Sequence, residues 1–311
     1  MNVKSNNKIA LSFDIEDWYH AGPVSGSSFA KYKTLDDFLK NNKTQHTDCI
    51  TDETLRILEI LDNYQITATF FIIADVALRY PQITKALKNS KHEIASHSLT
   101  HQSAIDAKTK EPLQSKEEWF EDQKKAKEIL EDIFEKEIIG FRAPNAYFAN
   151  WMVPMLTELG FKYDSSIAHN SLYNKTNVDL NNIPTCPYLL NSNTLGAEEP
   201  DSTLWELPWS NYKLPGGFIL PAGGAFFFRA LGYNYFKKVL NDNLRKGDTM
   251  FYLHPIDISR KEIPVKNNKS RPFLWINKGE KTEKRLVKFI REFKTQITSC
   301  QKVFEKNNNN E

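Results

Sequence analysis

Three acids follow the first apolar segment of the chain. Residues 9–13, IALSF, are typical of a buried strand. Asp14, Glu16 and Asp17 come directly after it. Neighbouring carboxylates repel one another unless something positive holds them, and a divalent cation would do so. A solvated acidic loop is the alternative interpretation.

Two histidines four residues apart, His97 and His101, follow another short apolar segment. Imidazoles at this spacing fall on one side of a helical turn and, with one carboxylate, form a zinc site that leaves a position open for water. Alternatively, one histidine caps a turn and the other lies at the surface. The acids at residues 14–17 favour the metal site, with one carboxylate as ligand and one as base.

Two more polar residues stand at the ends of apolar segments. Arg142 follows residues 138–141, where a cation needs an acidic partner, although a purely structural salt bridge would also satisfy it. His254 follows residues 250–253 and precedes a proline that ends the strand. A lone histidine of this kind is more often a satisfied core residue, but its place at a strand end favours a function.

The elements that would position these side chains alternate between strand and helix. The predicted helices cover residues 51–64 with Thr51 as N-cap, 75–89, 115–136, 151–159 and 233–244. The predicted strands lie near residues 9–13, 67–73, 93–95, 138–141, 161–163, 204–208 and 249–253. About seven such units indicate a parallel α/β sheet, closed or nearly closed into a barrel, with an open doubly wound sheet as the alternative. In a parallel barrel all strand C-termini open onto one face, so the polar residues would converge there.

The domain organisation follows from the distribution of apolar residues. We predict a single domain over residues 1–300 and a flexible tail at 301–311. An apolar stripe within residues 286–297 predicts a helix that packs on the body. Residues 20–50 and 164–203 are long for plain connections, and such loops are usually functional or mobile.

Composition and charge exclude several classes of protein. The 311 residues are 40% hydrophobic, 26% charged and 12% aromatic, as in an ordinary globular protein. A net charge of +2 gives no case for nucleic-acid binding. Three widely spaced cysteines argue against a disulfide framework or a thiolate metal site. The first residues lack the pattern of a secretory signal and no run is long enough for a membrane helix, so we expect a cytoplasmic protein, with peripheral contact to the inner membrane face left open.

Taken in order, SFDIED, SHSLTH, FRAP, ELPW and FYLHP resemble the five motifs of the NodB-homology polysaccharide deacetylases, carbohydrate esterase family 4. The resemblance covers roughly residues 8–260 and is closest to the subgroup associated with bacterial exopolysaccharide clusters and exosortase systems. That subgroup has a D-x-E-D-W/Y opening and a Gly-Gly segment similar to residues 220–229. The resemblance implies a distorted (β/α) barrel that holds a divalent metal, most commonly zinc.

The resemblance also implies a metal-ligand set. His97 and His101 match the two metal-binding histidines of the family. Many relatives have two adjacent aspartates in the opening motif, whereas this chain has Ile15 in the second place. Residues two apart on an extended chain point the same way, so Glu16 is the first choice for the carboxylate ligand and Asp17 the second.

Asp14 matches the general base of the family, Arg142 the arginine that orients this base, and His254 the general acid. The expected substrate-binding residues are Leu253 in the acyl-methyl pocket, Trp209 in its aromatic wall, and Pro144. The implied mechanism has the metal polarise the amide carbonyl and acidify its water, Asp14 take the proton, and His254 protonate the departing amine.

The implied reaction removes N-acetyl groups from an amino sugar in a surface polysaccharide, such as O-antigen, or in its biosynthetic intermediate. The expected partner is an N-acetylated glycan, free or lipid-linked, and oligomeric state is left open. Two alternatives stay open. A cyclic amide or ureide hydrolase of the same fold would be favoured by loss of the motif-five histidine. A non-catalytic carbohydrate-binding relative would have lost a metal ligand or the base.

Overall fold

The structure is a computed structural model that describes residues 6–20, 35–41, 47–180, 183–262 and 275–309. Its strands are β1 (Ile9–Ile15), β2 (Thr69–Ile72), β3 (Glu93–Ser96), β4 (Gly140–Phe141), β5 (Tyr163–Asp164), β6 (Tyr188–Leu189), β7 (Trp205–Glu206), β8 (Asn211–Lys213), β9 (Ile219–Pro221), β10 (Thr249–Leu253) and β11 (Ile297–Thr298). Its helices are α1 (Leu35–Asn41), α2 (Thr51–Tyr64), α3 (Ala74–Arg79), α4 (Pro81–Lys88), α5 (Lys116–Phe134), α6 (Met152–Glu158), α7 (Ala225–Leu231), α8 (Tyr233–Leu244), α9 (Pro255–Ile258), α10 (Glu280–Phe293) and α11 (Cys300–Asn308).

The main sheet runs in the order β10-β1-β2-β3-β4-β5-β7-β6. Neighbouring strands from β10 to β7 are parallel, and β6 adds an antiparallel edge beside β7. β11 pairs with the first residues of β1. A parallel bridge between Trp209 and Met250 returns the chain after β7 to β10. The predicted distorted barrel with mostly parallel strands is therefore confirmed.

The side chains of strand β1 alternate between the two faces of the sheet. All seven of its residues are buried, because helices cover one face of the sheet and side chains fill the other. Ile9 and Phe13 belong to the large core under the helices, and the Phe13 ring lies 5.3 Å from that of Phe70 on β2. Ala10 belongs to a smaller cluster inside the barrel. Since residues alternate along a strand, Asp14 shares the interior face with Ala10.

Two predicted helix boundaries were wrong. Thr51 is the first residue of α2 and not its N-cap; the Asp48 carboxylate accepts hydrogen bonds of 2.9 Å from the Ile50 and Thr51 amides. The helix predicted over residues 75–89 is two helices, α3 and α4. Tyr80 leaves the helical conformation because Pro81 follows it, and proline excludes the α conformation of the residue before it while favouring a new helix start.

The C-terminal prediction also needs correction. The supposed flexible tail at residues 301–311 is helical as far as Asn308. Cys300 and Val303 are buried in the interior cluster, and the Phe304 ring lies 6.0 Å from that of Tyr163, so α11 closes the amino end of the barrel. The apolar stripe in residues 286–297 divides between α10 and β11.

The two long connections differ in what the structure describes. Residues 21–34 and 42–46 of the first lie outside the described residues. The second packs against the segment after β4, where Phe148 bridges to Thr176. Within the described ranges, no helix is both long and apolar enough to cross a membrane.

Candidate active site

The carboxyl ends of the parallel strands open onto a cavity of about 170 Å³. The segments at the ends of β1, β3, β4, β7 and β10 contribute its walls, as expected for a parallel barrel. Most predicted site residues line it, namely Asp14, Glu16, Asp17, His97, Arg142, Trp209 and His254. Residues from both halves of the chain therefore meet at one place.

Glu16, His97 and His101 form a compact group of potential metal ligands beside this cavity. The Oε1 atom of Glu16 lies 2.9 Å from Nε2 of His97 and 3.0 Å from Nε2 of His101. One ligand atom from each residue lies within 4.8 Å of the others, and all three side chains are buried. Although burial alone would raise it, the pKa of Glu16 is held well below its ordinary value by His101 and His254.

The chemistry of these three side chains fits a divalent cation. Nδ1 of His97 lies 2.8 Å from the carbonyl oxygen of Arg142, and because a carbonyl only accepts, Nδ1 must carry the proton. In the neutral ring, Nε2 then presents a lone pair to the Glu16 carboxylate. Nε2 of His101 lies 3.0 Å from the same Glu16 oxygen without forming a well-aligned hydrogen bond to it, and burial lowers the pKa of this imidazole. Two imidazole nitrogens and a carboxylate facing one another are the ligand set of a tetrahedral zinc site with one open position.

The histidine pair lies on a loop, not on the helical turn that its spacing predicted. Ser98 and His101 both adopt positive φ, at 70° and 64°. The carbonyls of Ser98 and Leu99 accept hydrogen bonds of 3.0 Å from the Ala74 and Asp75 amides at the start of α3. The loop is therefore held by a helix N-terminus, and the two imidazoles converge through left-handed turns.

Asp17 stands apart from the histidine pair. Its Oδ2 accepts a 2.6 Å hydrogen bond from the Tyr80 hydroxyl, and its Oδ1 accepts one of 2.7 Å from the Trp18 amide. Asp17 is not in the group that gathers around His97. Between the two acids that the sequence left open, the geometry favours Glu16.

Asp14 and Arg142 form a buried ion pair at the base of the cavity. Nη1 of Arg142 lies 2.5 Å from Oδ1 of Asp14, and both side chains are almost completely buried. The guanidinium also donates to the carbonyl and hydroxyl of Ser165 and to the hydroxyl of Ser12, and lies 4.0 Å from the centre of the Phe71 ring. Burial would lower the pKa of Arg142, but Asp14 raises it. This pairing fixes the position of the Asp14 carboxylate at the cavity, where its oxygens can act as proton acceptors.

His254 lies across the cavity, with Nε2 3.7 Å from Oε1 of Glu16. Its Nδ1 donates to Oδ2 of Asp257 over 3.0 Å, and Oδ1 of Asp257 lies 2.8 Å from Nε of Arg229. Burial alone would lower the pKa of His254, but Glu16 and Asp257 outweigh burial and raise it to about 9. His254 can therefore present a proton on Nε2 at neutral pH.

The sequence alone did not reveal the roles of Asp257 and Arg229. Asp257 lies three residues after His254, on the short helix α9, and this spacing was the available signal. Arg229 closes the Gly-Gly segment at residues 220–229, but nothing in the sequence pairs it with Asp257.

The predicted substrate-binding residues have different outcomes. Trp209 lines the cavity, with its Nε1 donating to the Ser165 carbonyl over 3.0 Å. Leu253 is fully buried in the large core, and neither it nor Pro144 is among the described residues that line the cavity. Strand alternation explains the position of Leu253, since Tyr252 faces the cavity and its neighbour Leu253 faces away.

Comparisons with known proteins place these features in a family. The profile described as "Polysaccharide deacetylase" matches residues 4–163, just over half of the chain. A profile described as "Domain of unknown function (DUF3473)" matches residues 176–305. Strands from both matched segments lie in one sheet. A curated relative, the peptidoglycan deacetylase of Helicobacter pylori, is 29% identical over 117 residues, which span 37% of this chain and 37% of that protein.

Solved structures show the same fold at low identity. A protein of Pseudomonas aeruginosa PAO1 described as a polysaccharide deacetylase aligns with a TM-score of 0.55 at 15% identity, over 97% of this chain and 90% of its own. An allantoinase named Puue aligns with a TM-score of 0.57 at 15% identity, over 98% and 91%. At this identity the likeness concerns the fold alone. Because the family profile covers more than half of the residues, the chain belongs to the polysaccharide deacetylase family.

Proposed function

We propose that this protein is a metal-dependent hydrolase that removes N-acetyl groups from an amino sugar of a glycan. One observation carries the proposal. A carboxylate paired with a buried arginine, a carboxylate facing two imidazoles, and a third imidazole held as a proton donor all border one cavity. Amide hydrolysis needs these parts, namely a base, an electrophilic centre and an acid for the leaving amine.

Glu16, His97 and His101 would hold the metal, with zinc favoured by a ligand set of two imidazoles and one carboxylate. When bound, the ion supplies Lewis acidity and makes water acidic enough to serve as a nucleophile near neutral pH.

The remaining chemistry belongs to the chain's own side chains. Asp14, positioned by Arg142, accepts the proton of the attacking water. His254 donates a proton from Nε2 to the nitrogen of the departing amino sugar, because Asp257 occupies Nδ1 and orients the ring. The products are acetate and a free amine.

The substrate assignment rests on the size of the cavity and on the family. A space of about 170 Å³ suits an N-acetyl group with part of its sugar ring, and Trp209 supplies an aromatic wall. A surface polysaccharide, or a free or lipid-linked intermediate of its synthesis in the cytoplasm, is the substrate class that we favour.

The Gly-Gly segment supports the finer assignment to the exopolysaccharide subgroup. A Cβ atom on Gly223 would lie 2.6 Å from the Ser210 amide nitrogen, so the close approach of these two backbone segments requires glycine.

The test is acetate release from N-acetylated oligosaccharides, measured beside allantoin hydrolysis by the same metal-loaded protein. We expect acetate release from the glycan, no turnover of allantoin, and a loss of about 10²- to 10⁴-fold in kcat for Asp14→Asn. Asp75→Asn is the matched control, because it also removes a carboxylate paired with an arginine, but at the surface. Turnover of allantoin without acetate release would overturn the assignment, and so would equal rates for Asp14→Asn and the wild type.

A further inference from the structure

A second cavity of about 420 Å³ adjoins the first. Trp209, Phe226, Tyr252 and Lys175 line both cavities. The rest of the second cavity is mainly apolar and aromatic, and no carboxylate is among the described residues that form its walls. Among the described residues that form its walls, Lys175 is the only charged one. His169 also lines the cavity, but burial and nearby Lys213 lower its pKa, so its ring is neutral at neutral pH.

Lys175 is held in place but not neutralised. Its Nζ donates to the Asn145 carbonyl over 2.8 Å and lies 5.5 Å and 5.2 Å from the ring centres of Tyr147 and Tyr173. An ammonium group has three N–H donors, and within the described ranges one of them has a hydrogen-bond acceptor. Burial lowers the pKa of Lys175 to about 8, while Glu16 acts in the opposite direction. The side chain therefore keeps its charge at neutral pH, and the aromatic rings stabilise that charge without cancelling it.

We propose that Lys175 binds an anionic group, a carboxylate or a phosphate, carried by the sugar unit that occupies the second cavity beside the reacting N-acetyl sugar. This inference rests on the proposed function, because it places the substrate across both cavities. Aromatic walls suit the apolar face of a sugar ring, and a partly buried cation on a wall without carboxylates suits an anion. The shared chemistry is an oxyanion next to a pyranose ring, supplied by a uronic acid or by a glycosyl phosphate.

A purely structural role for Lys175 makes a different prediction. Asn145 and Ala146 adopt positive φ, at 55° and 59°, in the turn after Arg142. In a purely structural role, the hydrogen bond from Lys175 Nζ to the Asn145 carbonyl would stabilise this turn and do nothing else. In that case Lys175→Gln would lower stability and weaken neutral and anionic ligands alike. Selective loss of the anionic ligands is the result that only direct binding gives.

The experiment measures binding by calorimetry to zinc-loaded Asp14→Asn protein, in which turnover is suppressed. The probes are a neutral N-acetylglucosamine disaccharide, the same disaccharide ending in a uronic acid, and the 1-phosphate of the same disaccharide. We expect at least one anionic probe to bind about tenfold or more tightly than the neutral one, with the difference lost on adding Lys175→Gln. Whichever anionic probe responds identifies the source of the oxyanion.

Lys110→Gln is the matched control. Its ammonium also lies 5.5 Å from the Tyr147 ring, but it donates to the Ala107 and Asn174 carbonyls and is not among the residues that line either cavity. Wild-type and Lys175→Gln KM values for the neutral and uronic disaccharides, from acetate release, give a second readout. Two results overturn this inference alone. One is tighter binding of the anionic probes that persists in Lys175→Gln. The other is no such difference in binding, although the wild type deacetylates the neutral probe. Failure of every probe to bind or release acetate overturns the proposed function with it.

Discussion

The ion pair between Asp14 and Arg142 gives a quantitative prediction for metal-free protein. Asp14→Asn leaves a buried guanidinium without its carboxylate, and Arg142→Met leaves a buried carboxylate without its cation. Removing one partner of a buried pair costs about 3–5 kcal/mol. Asparagine still offers an oxygen to Nη1, so we expect about 3 kcal/mol for Asp14→Asn. Arg142→Met also removes the donors to Ser165, so we expect about 5 kcal/mol.

The double variant contains neither charge, so its cost should be about 3 kcal/mol less than the sum of the two single costs. The assay is urea unfolding of the four proteins, with the free energy of unfolding extrapolated to zero denaturant. Asp75 and Arg79 form the control cycle, because their 2.6 Å pair is partly exposed on α3. Exposed pairs of this spacing couple by about 0.3–0.5 kcal/mol. A coupling for Asp14 and Arg142 no larger than that of the surface pair would refute the reasoning.

Two further predictions concern pH. Asp257→Asn should lower the pKa of His254 from about 9, because one of the groups that raise it is lost. The alkaline limb of the pH profile of kcat should therefore move to lower pH. If the limb does not move, Asp257 does not tune the general acid. Burial raises the pKa of Glu93 to about 7 in the folded chain, against an ordinary value of 4.5. The protonated acid therefore favours folding below about pH 4.5, and this contribution, about 3 kcal/mol, is lost as the pH rises through 7. Glu93→Gln should lack this dependence, so the free energy of unfolding of the wild type minus that of Glu93→Gln should fall by about 3 kcal/mol between pH 4.5 and pH 8. An unchanged difference would contradict the assignment.

The sequence was most informative where one rule applies to a whole element. Strands β1 and β2 are recognisable because both of their faces are buried, which leaves nearly continuous apolar runs. The shared direction of Asp14 and Glu16 follows from their spacing on an extended chain. The same alternation, applied from Met250 to Tyr252, would have shown that Leu253 faces away from the cavity.

Features that depend on the folded chain could not be predicted. The positive φ values of Ser98 and His101 give the histidine loop its shape, and neither serine nor histidine predicts such a value from its residue type. The pairing of Arg229 with Asp257 joins distant segments. Helix α11 buries only a few apolar side chains at the end of the barrel, so its sequence resembles that of a solvated tail.

The most direct test of the central claim is a zinc titration of chelator-treated protein, with bound metal and acetate release measured on the same samples. The wild type should be inactive without metal and should gain activity in proportion to zinc up to one ion per chain. Glu16→Gln should bind about 10²-fold more weakly or not at all, whereas Asp17→Asn should still bind one ion, because Asp17 is held by Tyr80 and Trp18. Full acetate release from metal-free wild type, or unchanged zinc binding by Glu16→Gln, would contradict the account.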